Sequence, residues 1–258
     1  MWELAEERCT GCGICVRVCP ESEEVAERLR SLLGLTRRPV GIRLIAAGGE
    51  LPKDVPEAPA PLRHCQAVHI ASEGGVLLIP VEKQTCFAAR AALGMAPLPE
   101  KVASGEVPYL HGLARNQQAA RIMAEIPKLP PGSIRAEVVG ALDRMPLEPD
   151  VVVLVVTPFQ AMWIANAFLY DRGGPRLTAN FAGMQASCGD ATVIPYRTGK
   201  VDFSVGCYGC RSAGGLAPEE MYVGLPRADL DRLMGAMERL KRAMRKFGVH
   251  DQKEVKVV

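Results

Sequence analysis

Apolar positions in this chain recur at two periods, and the alternation between them predicts most of the elements. Val25, Leu29, Leu32 and Leu33 mark one face of a helix, with Ser22 as its cap, Glu23 and Glu24 in its first turn and Gly34 as its stop. Strand-like runs follow at Val40 to Ile45, Val76 to Val81, Arg135 to Gly140 and Val151 to Val156. Between them the pattern predicts helices from Arg63, from Cys86 to Leu93 and near Asn116 to Ile126, with proline-rich loops at Leu51 to Leu62 and around Pro97 to Pro108. After the valine run, Thr157 can cap, Pro158 suits the first helical position and Gln160 completes a capping box. Leu230, Leu233, Met234, Met237, Leu240, Met244 and Phe247 fall on one helical face, which predicts a long amphipathic helix from about Pro226 to Gly248. Thr192 to Tyr196 and Val201 to Val205 read as two short strands joined by a hairpin turn at Arg197 to Lys200.

This alternation defines an α/β protein: a mixed sheet body with flanking helices, a small amino-terminal loop ahead of it and the long carboxy-terminal helix. A length of 258 residues with 48% hydrophobic and 23% charged residues suits one sizeable domain, residues 22–258, plus a segment over 1–21. The formal net charge of +2, with bases and acids interspersed, argues against a nucleic-acid surface. Val151 to Tyr170 holds no formal charge over about the length of a membrane span, but Pro158, Gln160 and Asn166 interrupt it, and it reads as a buried strand followed by a helix. Met1 to Arg8 is acidic and has no apolar core, so no signal peptide is expected; nine cysteines then point to a reducing cytoplasm.

Four of those cysteines, Cys9, Cys12, Cys15 and Cys19 followed by Pro20, reproduce the C-x2-C-x2-C-x3-C-P run of bacterial ferredoxins. Two-residue gaps in a curling loop let three thiolates converge on one cubane, and Gly11 and Gly13 let the loop curl. Zinc is the alternative, although its sites usually divide into two knuckles separated by a longer loop. A 4Fe-4S cluster is the expected cofactor. In two-cluster ferredoxins the cysteine before proline serves the other cluster, which leaves the role of Cys19 open.

Five cysteines remain. If the hairpin forms, Cys188, Cys207 and Cys210 gather at its open end, and Cys86, in the first turn of a helix capped by Thr85, is the expected fourth member. Cys19 and Cys65 compete for that place, although Cys65 lies within an apolar helical pattern that also suits packing. Cys207-Tyr208-Gly209-Cys210 admits a cluster ligand, a redox dithiol or zinc. His64 and His69 flank Cys65 and suit packing or solvent better than metal. Asp190 could turn the chain or act as an acid or base, and Arg197, Lys200 and Arg211 read as surface charges or as holders of an anion.

Pro39-Val40-Gly41-Ile42-Arg43, Arg63-His64-Cys65-Gln66, Cys86 through Met95, Val151 through Gln160, Cys188 through Val193 and Gly206 through Arg211 together resemble the uncharacterised domain-of-unknown-function family 169, over about residues 36 to 225. The resemblance implies an α/β body with cysteine-bearing loops and supplies no substrate. The function expected is therefore that of a cytoplasmic iron–sulfur redox protein, an oxidoreductase component that docks a redox partner protein. Its amino-terminal cluster passes electrons to a second centre held by Cys188, Cys207, Cys210 and Cys86. A one-cluster electron-transfer adaptor and a metal or cluster carrier are the alternatives.

Overall fold

The valine run becomes the middle of a sheet buried on both sides. The computed structural model describes residues 20–246, Pro175 and Ala182 excepted. Cys9, Cys12, Cys15 and Cys19 lie outside the described residues. The strands are β1 (Val40–Ala46), β2 (Val76–Pro80), β3 (Ile134–Ala141), β4 (Val151–Val156), β5 (Asp202–Ser204) and β6 (Met221–Pro226). They lie in the order β2-β3-β1-β4-β6-β5, and every strand ladder is antiparallel. The α/β class holds.

Because side chains alternate across a strand, β4 feeds two cores. Val151, Val153 and Val155 join Val40, Ile42, Ile79, Val139 and Tyr222 on the first face. That face is covered by α2 (His64–Ser72), α3 (Phe87–Ala92), a π-helix (Ala186–Val193) and the short α9 (Tyr208–Ser212). Val152, Leu154 and Val156 join Val223 and Leu225 on the second face, beneath α1 (Pro20–Leu33), α7 (Pro158–Arg172) and α10 (Leu230–Lys246). Helices on both faces explain why all six residues of β4 are buried in an antiparallel sheet, where one wet face is commoner. The remaining helices, α4 (Glu100–Ala103), α5 (Glu106–Leu110), α6 (Gln117–Met123) and α8 (Ile194–Thr198), are short.

The predicted cap of α7 forms: Thr157 Oγ1 accepts from the Gln160 N–H at 3.3 Å, and Gln160 Oε1 accepts from the Thr157 N–H at 2.8 Å. Gln160 Nε2 also donates to the carbonyls of Leu33 and Gly34, so the start of α7 satisfies the end of α1. Among the described residues no helix is long and apolar enough to cross a membrane, and the uncharged stretch 151–170 is β4 and α7.

Three local readings change. Ser22 lies inside α1 and is buried, so it does not cap that helix. Cys86, and not Thr85, is the N-cap residue of α3. The hairpin at 192–205 does not form, because Thr192 and Val193 end the π-helix and Ile194–Thr198 is α8. Asp202–Ser204 pairs instead with β6, a strand the sequence did not announce.

Candidate functional site

The first face of the sheet collects all five body cysteines, each a free thiol. Four separate segments deliver them. In α2, Gln66 Oε1 accepts from the Arg63 N–H at 2.9 Å and fixes the helix start, which places His64 and Cys65 in the first turn facing the core. Cys86 is held at the N-cap of α3 by its own N–H, which donates to Gln84 Oε1 at 3.3 Å. Cys188 lies in the π-helix, all eight residues of which are buried. Such i→i+5 turns insert an extra residue into a helix and often mark functional positions. Cys207 is the N-cap of α9, and Cys210 is one turn on.

Cys207 Sγ and Cys210 Sγ stand 3.4 Å apart. Cys210 is wholly buried, whereas Cys207 is only half-buried. Cys65 Sγ donates to the Gly209 carbonyl at 3.6 Å, and its thiol also contacts Cys210. Gly214 makes this crowding possible: a Cβ there would sit 2.8 Å from both Cys65 Cβ and the Cys210 carbonyl. Cys188 lies close enough to feel the charge of the other four. Cys65, which the sequence offered as a competitor of Cys86 and read more readily as packing, joins this group. Among the described residues, however, no three or more His, Cys, Asp or Glu side chains are placed to hold a metal ion.

The environments of the thiols differ. Contact with Cys210 holds the Cys65 thiol below its ordinary range. The hydrogen bond to Cys210 together with burial pushes Cys207 up, and burial, reinforced by the four neighbouring thiols, drives Cys188 well up. Tyr222, on β6, packs under Cys210, and burial raises its phenol.

A buried polar chain links the segments. Glu137, fully buried on β3, accepts from His64 Nδ1 at 2.7 Å and from Gln84 Nε2 at 3.0 Å. His64 Nε2 meets Thr192 Oγ1 at 3.2 Å, and that hydroxyl donates to the Ser187 carbonyl at 2.8 Å. Ser187 Oγ in turn accepts from Cys210 Sγ at 3.6 Å. One carboxylate therefore positions α2 with Cys65, the start of α3 with Cys86, and the π-helix with Cys188. Its sequence signal was present: Glu137 is the single acid within the apolar run Ile134 to Ala141. The other candidates are placed differently. His69 bonds to Arg37, and Arg211 is spent on the carbonyls of Val205, Ala217 and Glu220. Arg197 donates to the Lys128 carbonyl, while Lys200 is exposed. Gln185, at φ 63° before the π-helix, has both amide atoms buried with no hydrogen-bond partner among the described residues.

Asp190 lies in the π-helix and accepts from Ser204 Oγ at 2.9 Å, and burial pushes its carboxyl up to about 7. Between pH 3.8, the ordinary value of an aspartate, and about 7, the folded chain keeps a proton that the unfolded chain has released, so stability falls as pH rises through that window. Asp190→Asn is expected to flatten this slope and to be more stable than the parent at pH 8 by roughly 1–3 kcal/mol, with little difference below pH 4. Urea unfolding at the two pH values measures it.

The fold and site define a thiol-rich α/β body joined to an amino-terminal cysteine run of ferredoxin type. The chain belongs to the family of uncharacterised ArCR proteins, domain-of-unknown-function family 169, whose model matches residues 28–236. A model for 4Fe-4S binding domains matches residues 3–22. An uncharacterised protein of Methanocaldococcus jannaschii is 30% identical over 224 residues, which is 86% of this chain and 95% of that protein. No solved structure matches the chain. The four thiols of Cys9, Cys12, Cys15 and Cys19 are the donor set a cubane takes. The described chain begins at Pro20, the first residue of α1, directly after the fourth of them.

Proposed function

We propose that this is an iron–sulfur redox protein in which Cys9, Cys12, Cys15 and Cys19 hold a 4Fe-4S cluster and the thiols of the body form a second cysteine-bound centre that takes up electrons. The observation that carries the reading is the four-cysteine run. When bound, such a cluster supplies one-electron chemistry at a potential tuned by burial and hydrogen bonding to sulfur. The second centre is drawn from Cys86, Cys188, Cys207 and Cys210, with Cys65 beside them. Free thiols and a cubane both suit the reducing cytoplasm, and a redox protein would supply or accept the electrons.

Anaerobic purification with iron and sulfide analysis tests the first half. The expected result is about four irons and four sulfides per chain, lost in Cys12→Ser, with a paramagnetic signal after dithionite that persists in Cys207→Ser. Zinc in place of iron overturns it. Eight irons would make the second centre a cluster as well.

A one-cluster adaptor is the second reading, and it has its own support: α1 packs on the face of the sheet opposite the thiols. Reductive titration of the oxidised protein separates the two. Uptake of about one electron per chain favours the adaptor, and about three favours a two-electron thiol centre beside the cluster.

A further inference from the structure

We infer that Cys207 and Cys210 are a reversible dithiol–disulfide couple that exchanges with an external disulfide, Cys207 being the entry thiol and Cys210 the resolving thiol. This rests on the reading of the body thiols as a redox centre and gives that centre its chemistry.

The geometry carries it. The two sulfurs are 3.4 Å apart across a C-x-x-C spacing, one side-chain rotation from the roughly 2.05 Å of a disulfide bond. Thiolates on tetrahedral zinc, with Zn–S near 2.3 Å, stand about 3.8 Å apart and need two further ligands. No such set is assembled among the described residues. The pair is also asymmetric in access. Cys207 is half-buried beside Tyr208, which is 81% exposed, whereas Cys210 has no exposed surface. Arg63 Nη1 and Cys207 Sγ lie 3.7 and 3.9 Å from where a Gly209 Cβ would stand, so both border the loop between the paired cysteines.

The exchange balances in two steps. Cys207 gives up its proton as its sulfur attacks one sulfur of R–S–S–R, the external S–S bond breaks, and RS⁻ leaves and takes up that proton as RSH. Cys210 then gives up its proton and attacks the Cys207 sulfur of the mixed disulfide, expelling the second RS⁻, which leaves as RSH. The two protein thiols lose two electrons and two protons, and the external disulfide gains them. A dithiol reverses the sequence. Cys65, in contact with Cys210, is a third thiol on the buried side of the pair, to which the bond can pass by the same exchange.

The test uses the full chain, purified without oxygen and equilibrated with mixtures of oxidised and reduced dithiothreitol. Acid quenching, alkylation with N-ethylmaleimide and peptide mass spectrometry then locate the disulfides. The expected result is a Cys207–Cys210 disulfide whose ratio to the dithiol rises in proportion to the ratio of oxidised to reduced reagent, a log–log slope of about one. In Cys207→Ser this species should vanish, and Cys210 should alkylate only after denaturation. Full alkylation of both thiols in the parent protein at the most oxidising mixture overturns the inference, as does stoichiometric metal that is lost in both Cys207→Ser and Cys210→Ser. The parent measurement decides even if a variant fails to fold. Cys12→Ser separates the levels: the disulfide should form in it unchanged, whereas its failure to bind iron bears only on the amino-terminal cluster.

Discussion

Glu137→Ala should destabilise the protein by about 3–5 kcal/mol, the range found when one member of a buried ionic or charge-assisted pair is removed. The side chain is fully buried and accepts from both His64 Nδ1 and Gln84 Nε2, so its loss strands two donors in the core and leaves a cavity. Glu137→Gln should cost less, about 1–2 kcal/mol, because one amide oxygen still accepts while the amide nitrogen faces a donor. His64→Leu with Glu137→Leu should recover part of the loss, since an apolar pair leaves no orphaned charge. Chemical denaturation of the three variants checks the order. If Glu137→Ala unfolds at the parent's midpoint, the buried chain is not what holds these segments. Because Gln84 also carries the Cys86 N–H, Glu137→Ala should in addition speed alkylation of Cys86 in the native protein.

Gly224→Ala should be comparably severe, at about 3 kcal/mol, near the upper end of overpacking costs. A Cβ at position 224 would stand 2.1 Å from the Ala191 carbonyl oxygen and 2.6 Å from its carbon. The obstacle is backbone, so no side-chain rotation relieves it, and the π-helix must lift from β6. The expected result is a lower thermal midpoint and faster alkylation of Cys188, which rides on that helix. Unchanged stability together with an unreactive Cys188 would show that the π-helix does not lie on β6 in solution.

These two residues also show where the sequence could be read and where it could not. β4 and α7 were legible because six consecutive β-branched or leucine residues need a buried strand and because Thr157, Pro158 and Gln160 are local capping chemistry. α10 was legible from its apolar stripe, which meets the second face of the sheet. β6 was hidden by Gly224 and Pro226, poor strand formers; Gly224 is there because another backbone lies against it. The end of the π-helix and the start of α8 were misread as a strand because Thr192, Val193 and Ile194 favour strands and i→i+5 pairing leaves no familiar period. Cys188 still meets Cys207 and Cys210, but through packing of the π-helix on the sheet and not through a hairpin. Cys65 read as packing because its helix is apolar, and only the tertiary fold brings α9 over it.

Alternation along β4 has a consequence for reactivity. Val155 points to the layer of the thiols and Val156, one residue on, to the layer of α1, the helix that follows the ferredoxin-type run. The sheet is a wall of mostly apolar side chains between the thiol layer and the layer of α1. Of the body thiols Cys86 and Cys207 are partly exposed and the other three buried, whereas α1 covers the opposite face of the sheet. The two layers share only the sheet between them, so a change confined to one reaches the other only through β4 and its neighbouring strands.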